Sequence, residues 1–339
     1  MNALRHLRTG LIPVVVLCLL LFACASPPQA VQESPAGTHP PEPGLQAAAK
    51  TPVGALPLVL KSEAPTETPS PTPTTTQTPP ELLRFAVIGD YGAGGSPEAD
   101  VAALVKSWNP DFVITTGDNN YPDGAAETID ENIGQFYHEF ISPYYGDYGD
   151  GADVNRFFPS LGNHDWHVSD IRPYLDYFTL PGNERYYDFT WGPVHFFALD
   201  SDSREPDGVG SSSIQAGWLQ AQMAASTSPW NVVYFHHAPY SSGMHGNIDW
   251  MQWPFQAWGA DLVLSGHDHT YERIDRGGLT YVVNGLGGGN RYDFQEIVEG
   301  SQVRYNADYG AVLVEASPES LALQFVARGG EVIDTYTIE

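Results

Sequence analysis

Residues 82–92 read LLRFAVIGDYG, an apolar run that ends in a polar turn. Apart from Arg84, residues 82–89 are continuously apolar, which predicts a buried strand. A helix is predicted next over residues 97–108, because proline at its first position suits the first helical turn. Residues 111–116 form a second apolar run that again leads into polar residues. Both predicted strands therefore end where loops commonly hold functional groups on a rigid scaffold.

The rest of the chain contains more predicted strands than helices. Helices are predicted over residues 213–225 and around residues 250–258. Glycine, proline and serine turns separate the last four predicted strands, which is typical of a meander. This pattern favours an α+β domain in which two mixed sheets pack together and are flanked by helices. The further predicted strands cover residues 156–161, 186–191, 194–199, 231–235, 261–264, 280–283, 310–315, 321–326 and 332–338.

Residues of the types that bind metals follow five of the predicted strands. One Asp or His near a turn usually serves only in hydrogen bonding, whereas five clusters in one chain indicate a common site. The two cysteines, Cys18 and Cys24, lie near the N-terminus, so a metal site downstream must use His, carboxylate, amide or phenol groups. The clusters are GDYG at 89–92, GDNNY at 117–121, GNHD at 162–165, VYFHH at 233–237 and GHDH at 266–269.

With these motifs the chain resembles the purple acid phosphatases of the calcineurin-like metallophosphoesterase superfamily. Their five blocks read GDxG, GDxxY, GNH[DE], VxxH and GHxH, and all five occur here in that order over residues 83–289. The resemblance implies an acid phosphatase with the metallo-dependent phosphatase fold, a four-layer α/β/β/α sandwich. The size is similar to that of the small single-domain members. Unlike the small animal enzymes, this chain has no cysteine in the matching region for their extra disulfide.

The resemblance also implies a dinuclear metal centre. Carboxylate and phenolate oxygens suit Fe(III), whereas two imidazoles and an amide oxygen suit a divalent Fe, Zn or Mn ion. Ordinary superfamily members have Asp-x-His in the first block, but here the third position is Gly92 and Tyr121 supplies the replacement ligand. The implied ligands are Asp90, Tyr121 and His269 for one metal, Asn163, His236 and His267 for the other, and Asp118 as the bridge.

The fourth block holds two adjacent histidines, and by residue type alone either His236 or His237 could be the ligand. Spacing favours His236, which lies three residues after Val233 as VxxH requires. In the same register, His245 falls where the small enzymes place a histidine over the substrate. His164 directly follows a predicted ligand. The resemblance therefore implies that His164 and His245 are the catalytic histidines, which protonate the leaving group.

Composition restricts the classes of partner. The chain has 339 residues, of which 42% are hydrophobic, so it is not wholly disordered. It has 15 Lys and Arg against 41 Asp and Glu, a formal net charge of −26. Because binding a phosphate backbone needs positive charge, nucleic acid is not expected as a bulk partner. A small-molecule phosphoester is expected instead.

The first 24 residues are predicted to be a signal peptide. Arg5 and Arg8 precede an apolar run over residues 11–23 that is too short to span a membrane as an ordinary helix. The sequence LFAC at 21–24 resembles a bacterial lipobox, which would attach a lipid to Cys24, but ACA at 23–25 equally suits ordinary cleavage. Both readings predict export, as a cell-surface lipoprotein or a secreted protein. A lipid anchor is the only membrane contact expected.

Residues 25–80 are predicted to form a Pro/Thr-rich disordered linker, since they hold 14 of the 28 prolines. The catalytic domain is predicted over residues 81–339. Its expected activity is hydrolysis of phosphate monoesters by metal-bound hydroxide. A phosphodiesterase using the same dinuclear site is the alternative, because the superfamily uses shared ligands for both reactions. A tethered binding module that keeps metals only for structure is a third reading, which the two catalytic histidines disfavour.

Overall fold

The computed structural model describes residues 82–168 and 170–339. The predicted signal peptide, the predicted lipid attachment at Cys24 and the predicted linker at 25–80 lie outside the described residues. Among the described helices, none is long and apolar enough to cross a bilayer.

The described part of the chain forms thirteen strands. In chain order they are β1 (Leu83–Ile88), β2 (Phe112–Thr115), β3 (Phe157–Pro159), β4 (Tyr187–Trp191), β5 (Val194–Ala198), β6 (Trp230–His237), β7 (Leu262–Gly266), β8 (Tyr271–Arg276), β9 (Leu279–Asn284), β10 (Ser301–Tyr305), β11 (Gly310–Ala316), β12 (Leu321–Ala327) and β13 (Val332–Ile338).

These strands make two mixed sheets. The six-stranded sheet has the order β13-β12-β11-β1-β2-β3, in which β1, β2 and β3 are parallel and the three C-terminal strands are antiparallel. The seven-stranded sheet has the order β10-β8-β9-β7-β6-β5-β4. Its central strands β5, β6, β7 and β9 are parallel, and its outer pairs are antiparallel. The prediction of two mixed sheets is confirmed.

The helices are few and short. Helix α1 begins at Ser96, with proline in its first turn as predicted, and packs against β11 of the six-stranded sheet. The α-helices are α1 (Ser96–Ser107), α2 (Gln135–Tyr137), α3 (Arg172–Tyr177), α4 (Ile214–Ala225) and α5 (Phe255–Trp258), with a π-helical turn at Asp130–Gly134 and 3₁₀ turns at His138–Phe140 and Asp249–Met251.

Aromatic side chains join the two sheets. Phe85 on β1 and Phe112 on β2 each meet Phe196 of β5 edge-on, with ring centroids 5.0 Å and 5.2 Å apart. Tyr271 on β8 stacks on Phe325 of β12 at 4.1 Å. A second cluster of buried side chains lies on the outer face of the seven-stranded sheet, beneath α4 and α5. The layers are therefore helix, sheet, sheet and helix, which confirms the predicted sandwich.

Several predictions of local structure need correction. The helix expected around residues 250–258 forms as two separate short turns, because Pro254 between them has no N–H to donate. Strand β10 was not predicted, because its sequence SQVRY is mostly polar. Strand β8 was not predicted either, because its sequence YERIDR is rich in charged residues. Its Glu272 is nevertheless fully buried, and Ser242 donates to its carboxylate from both the backbone N–H and the hydroxyl.

Candidate metal centre

All seven predicted ligands lie together, where five parallel strands of the two sheets end. The carboxyl ends of such strands form a natural binding crevice, and the loops after them carry the polar side chains. Asp90 follows β1, Asp118 and Tyr121 follow β2, Asn163 follows β3, His236 is the second-last residue of β6, and His267 and His269 follow β7.

The first group gathers around the hydroxyl of Tyr121. This oxygen lies 3.0 Å from His269 Nε2, 3.1 Å from Asp118 Oδ2 and 3.4 Å from Asp90 Oδ1. His269 Nε2 is 3.2 Å from Asp90 Oδ1. Asp90, Asp118 and His269 are all buried and offer three ligand atoms within 4.8 Å of one another, so this group could bind a metal ion.

The second group gathers around His236 Nε2. That nitrogen lies 3.0 Å from Asn163 Oδ1, 3.1 Å from His267 Nδ1 and 3.4 Å from Asp118 Oδ2. Asp118 Oδ2 is therefore within 3.4 Å of ligand atoms in both groups. A carboxylate in this position can bridge two ions, which is the role that the resemblance implies for Asp118.

Backbone carbonyls orient two of the imidazoles. His236 Nδ1 lies 2.9 Å from the carbonyl oxygen of Thr116, and His269 Nδ1 contacts the carbonyl of Asn290. Because a carbonyl only accepts, Nδ1 carries the proton in each neutral ring and Nε2 keeps its lone pair. Partners of this kind fix the tautomer and the ring orientation of metal-binding histidines.

Three predicted ligands have left-handed backbone conformations. Asp90, Asp118 and His267 have φ values of 53°, 52° and 72°, and only two other described non-glycine residues are left-handed. Such conformations cost about 1–3 kcal/mol each and concentrate at functional sites. Hydrogen bonds offset this conformational cost. Asp90 N–H donates to Gly117 O at 3.0 Å, and His267 N–H donates to Asp90 Oδ2 at 3.0 Å.

The electrostatics of the site favour a bound cation. Burial and the carboxylates of Asp118 and Asp90 raise the pKa of the Tyr121 phenol well above its ordinary value. Burial also acts to raise the pKa of Asp118, but the neighbouring His236 and His164 hold it well below its ordinary value. A phenolate beside two carboxylates in a buried place requires a compensating positive charge. The donor set thus fits two metal ions, with the oxygen-rich group suited to the harder one.

Gly92 leaves room for the loop that carries Tyr121. A β-carbon at position 92 would collide with the backbone carbonyl of Asn119. The Gly92 carbonyl also accepts a hydrogen bond from Tyr121 N–H at 2.8 Å. A histidine cannot occupy position 92 while this loop keeps its place, so the glycine and the tyrosine ligand are structurally coupled.

The two predicted catalytic histidines lie at the open side of the centre. His164 N–H donates to Asp118 Oδ1 at 2.8 Å, and its Nε2 is 4.0 Å from Asp118 Oδ2. Its Nδ1 lies 2.5 Å from the carbonyl of Pro122. The exposed ring of His245 stacks on His267 with centroids 4.1 Å apart and planes 28° apart. Tyr121, His164 and His269 also line a cavity of about 270 Å³.

The ring of His237 lies beside that of His267, with centroids 4.5 Å apart, but its Nδ1 contacts a serine rather than a predicted ligand. Its Nδ1 lies 2.9 Å from Ser201 Oγ, whereas the neighbouring His236 points at the centre. Burial and the charge of His236 lower the pKa of His237 to about 3, so this ring is neutral. This placement agrees with the ligand choice made from spacing.

The other histidines are distributed as follows. The exposed His167 lies next to His164, with ring centroids 4.5 Å apart. His138 Nδ1 contacts the carbonyl of Gly134, and His195 Nε2 contacts Asp188 at 2.8 Å. Those last two contacts are local to their own segments.

Sequence reasoning missed Tyr292 and assigned no role to Asp165. Tyr292 stacks on His269 with centroids 4.2 Å apart, and it lines the cavity. Asp165 is buried and accepts hydrogen bonds from Gly162 N–H at 2.8 Å and from the side chain of Asn119 at 2.9 Å. It thereby joins the second and third motif loops. For Asp165, the available signal was the acidic last position of the GNHD block. For Tyr292, the neighbouring sequence offered no such signal.

Comparisons with known proteins agree with this geometry. A model of the calcineurin-like phosphoesterase family matches residues 83–271. Tartrate-resistant acid phosphatase type 5 of Mus musculus is 24% identical over 328 residues, which cover 81% of this chain and 92% of that protein. Purple acid phosphatase 3 of Arabidopsis thaliana is 24% identical over 292 residues, which cover 74% and 76%.

A solved structure shares the fold. The purple acid phosphatase from yellow lupin (Lupinus luteus) seeds superimposes with a TM-score of 0.61 at 19% identity, covering 76% of this chain and 54% of the lupin chain. The present chain thus spans about half of the lupin enzyme's length. The five motifs, the two ligand groups and the family match lead to one conclusion. The chain belongs to the calcineurin-like phosphoesterase family and is a phosphatase of its purple acid phosphatase group.

Proposed function

We propose that the protein is an exported phosphatase that hydrolyses small-molecule phosphate monoesters at a dinuclear metal centre. The observation that carries the proposal is the convergence of two ligand groups on the shared carboxylate of Asp118, beneath His164 and His245. Fe(III) is proposed for the group around Tyr121, because carboxylate and phenolate oxygens suit a hard ion. A divalent Fe, Zn or Mn ion is proposed for the group around His236.

When bound, the two ions would polarise the phosphoryl oxygens and supply a hydroxide nucleophile below neutral pH. The chain's own residues orient these ions through the ligand contacts described above. Asp118 holds both groups together, and the carbonyls of Thr116 and Asn290 keep two imidazoles in the ligating tautomer. Since Thr116 and Asp118 are buried, their part of the ligand geometry is set before substrate arrives.

His164 is suited to donate a proton to the leaving group. Its Nδ1 donates to the carbonyl of Pro122, so a proton on Nε2 makes the ring a cation. The carboxylate of Asp118, 4.0 Å from Nε2, attracts that cation. His245, which stacks on His267 across the same opening, is proposed to share this task. Both assignments support activity that is highest on the acid side.

Arginines contribute little positive charge to substrate capture. Arg204 donates to the carbonyls of Asn163 and Trp166 and pairs with Asp202, so it supports the third motif loop. Arg291 contacts the carbonyls of Asn306 and Ala307. We therefore propose that the metal ions themselves provide the field that attracts an anionic substrate.

The test compares matched aryl phosphate monoesters and diesters with the metal-loaded full chain between about pH 4 and pH 9. The variant His236→Ala removes a proposed ligand. His195→Ala is the matched control, because that histidine bonds only to Asp188 and Ser226. We expect monoester turnover that peaks on the acid side. This turnover should be lost in His236→Ala and kept in His195→Ala.

Two other outcomes would contradict the proposal. A preference for the diester would favour a phosphodiesterase that uses the same ligands. A folded, metal-replete protein that turns over neither substrate would favour a binding module. Export and lipidation have a separate test. If Cys24 carries a lipid, Cys24→Ser moves the protein from the membrane fraction to the soluble exported fraction, whereas after ordinary cleavage the wild type and the variant are both in the soluble exported fraction.

A further inference from the structure

The loop after β6 carries His245 and is tied to the segment that carries two proposed ligands. Asp268 lies between His267 and His269 in the chain, and its side chain is fully buried. Its Oδ1 accepts a hydrogen bond from the backbone N–H of His245 at 2.8 Å. Its Oδ2 accepts one from the hydroxyl of Ser241 at 2.5 Å. One carboxylate therefore binds the loop at two points, on either side of residues 242–244.

The loop also packs closely on this carboxylate. A β-carbon at Gly243 would collide with the Asp268 side chain, so the loop backbone lies directly against it. The Ser241 hydroxyl in turn accepts from Gly243 N–H at 2.9 Å. These contacts fix the backbone around His245 relative to the His267–His269 segment.

The ring of His245 has little other support. In the described part of the chain, its ring nitrogens have no hydrogen-bond partner, and the residue is exposed. Its side-chain neighbours are the stacked ring of His267 at 4.1 Å and Tyr292 at 5.6 Å. His245 lines a second cavity, of about 440 Å³. The position of the ring thus depends on where the backbone holds it.

We propose that Asp268 is a positioning residue that places His245 over the metal centre for proton donation to the leaving group. The inference rests on the proposed function, in which His245 acts as a proton donor. Asp268 does not touch substrate itself. Its carboxylate acts through two hydrogen bonds, which set the distance between the His245 backbone and the ligand segment.

A neighbouring pair of residues provides a matched control. Ser242, like Ser241, is buried and donates its hydroxyl to a buried carboxylate, that of Glu272 at 2.6 Å. Glu272 accepts from Ser242 N–H and from Ser301, but no hydrogen bond joins it to His245. Ser242→Ala therefore weakens the same loop without removing a bond from the carboxylate that holds His245.

The experiment uses the metal-loaded full chain and two substrates, p-nitrophenyl phosphate and glycerol 2-phosphate. A nitrophenolate leaves without a proton, whereas an alkoxide needs one, so only the second substrate reports on the general acid. Asp268→Ala is expected to lower kcat for the alkyl ester about tenfold or more and for the aryl ester less than about threefold. Metal content and visible absorption should stay as in the wild type.

Further variants separate positioning from folding. Asp268→Asn keeps an oxygen for His245 N–H and an amide that can donate to Ser241, so it is expected to restore most of the alkyl-ester activity. Ser241→Ala should show the same preferential loss as Asp268→Ala to a smaller degree, and it carries the test if Asp268→Ala does not fold. Ser242→Ala should affect both substrates alike. In a His245→Ala background, adding Asp268→Ala should cause no further selective loss.

Several results would overturn the inference. Equal losses on both substrates in Asp268→Ala and Ser241→Ala, or a loss of bound metal, would show that Asp268 only supports the ligand segment. An undiminished selective loss in the His245→Ala background would show that Asp268 acts through another group. Failure of the proposed function is distinct, since the wild type itself would then turn over neither ester.

Discussion

At the scale of single residues, the centre is defined by pairs that depend on each other. Gly92 and Tyr121 are one such pair, because the space above the glycine is filled by the loop that brings the phenol to Asp90 and Asp118. Asp118 and His236 are another, joined at 3.4 Å between Oδ2 and Nε2. The first pair yields two predictions, one for a change at each partner.

Replacing Tyr121 with Phe should remove the visible absorption band of the iron-loaded protein. The band is expected from charge transfer between the phenolate and Fe(III), and Phe has no oxygen to bind the ion. The measurement is an absorption spectrum with the iron content determined in parallel. Tyr292→Phe is the matched control, because Tyr292 stacks on His269 but is not among the proposed ligands. A band that persists in Tyr121→Phe at equal iron content would contradict the ligand assignment.

Replacing Gly92 with Ala should destabilise the protein by about 2 kcal/mol or more, because the added methyl group meets the Asn119 carbonyl. Bound metal should fall as well, since the displaced loop carries Asp118 and Tyr121. Denaturant unfolding and metal analysis measure the two effects. Gly210→Ala is the control, as a β-carbon there meets nothing within 4 Å. Equal stability of the two variants would refute the proposed coupling.

The sequence was most informative at this scale. The family resemblance, recognised from motif order and strand context, predicted seven residues that the structure brings together, and spacing favoured His236 over His237. Contacts made by the backbone could not be predicted from the sequence in the same way. The carbonyls of Thr116, Asn290 and Pro122 that orient the imidazoles depend on how distant loops meet, which residue types do not encode.

At the scale of secondary-structure elements, helix α1 is tied to the first motif loop by Glu98. The carboxylate of this first-turn residue accepts hydrogen bonds from Ala93 N–H at 3.0 Å and Gly94 N–H at 2.8 Å. Glu98 is fully buried, and its second oxygen has no partner in the described structure. Burial raises the pKa of Glu98 well above its ordinary value, although the two N–H donors act to lower it.

Glu98→Gln should therefore stabilise the protein increasingly as the pH rises. The raised folded-state pKa means that the wild type loses stability once the unfolded chain releases this proton, while the folded protein still holds it. That loss begins above the ordinary carboxyl pKa and amounts to about 1.4 kcal/mol per pH unit until the folded-state pKa is reached. Glutamine removes this dependence and keeps an acceptor for the loop.

Urea unfolding at several pH values tests the prediction, with the exposed Glu319→Gln as the control. The stability difference between Glu98→Gln and the wild type should be small in acid and grow towards neutral pH. A constant difference across the range would show that the pKa of Glu98 is the same in the folded and unfolded protein.

Elements were predicted well where strands are apolar and poorly where they are charged. The predicted strand over residues 194–199 corresponds to β5, whereas β8 was missed because Glu272 and Arg273 make its sequence polar. Glu272 is buried with hydrogen bonds from Ser242 of the loop after β6 and from Ser301 of β10. Arg273 pairs with Asp334 of β13 at 2.7 Å. Tertiary contacts therefore stabilise β8 as a strand, and local sequence patterns do not reveal such contacts.

At the scale of the whole molecule, the chain is strongly negative although its proposed substrate is an anion. The chain carries a formal net charge of −26, and removal of the first 24 residues would take away two arginines and no acid, giving −28. Repulsion of this kind slows the approach of a phosphate ester until the substrate reaches the local field of the metals. Salt screens the long-range part of the repulsion more than the short-range attraction.

The value of kcat/KM for a phosphate monoester should accordingly rise by about a few-fold as ionic strength increases from about 10 mM to 200 mM. The turnover number kcat should change little, because it does not depend on encounter. The matched phosphodiester has a smaller charge and should respond less. A fall in kcat/KM with salt would indicate that a positive local field governs capture at long range.

The position of β1 in its sheet has a consequence for how the chain matures. The first described strand, β1, lies between β2 and β11, so one of its edges stays unpaired until Gly310–Ala316 have been made. Strands close in sequence, such as β4 and β5, can pair early, whereas β1 can pair with β11 only after β2 to β10 have been made. During translation, the nascent chain therefore has an exposed strand edge at β1 for as long as residues 89–316 take to be synthesised.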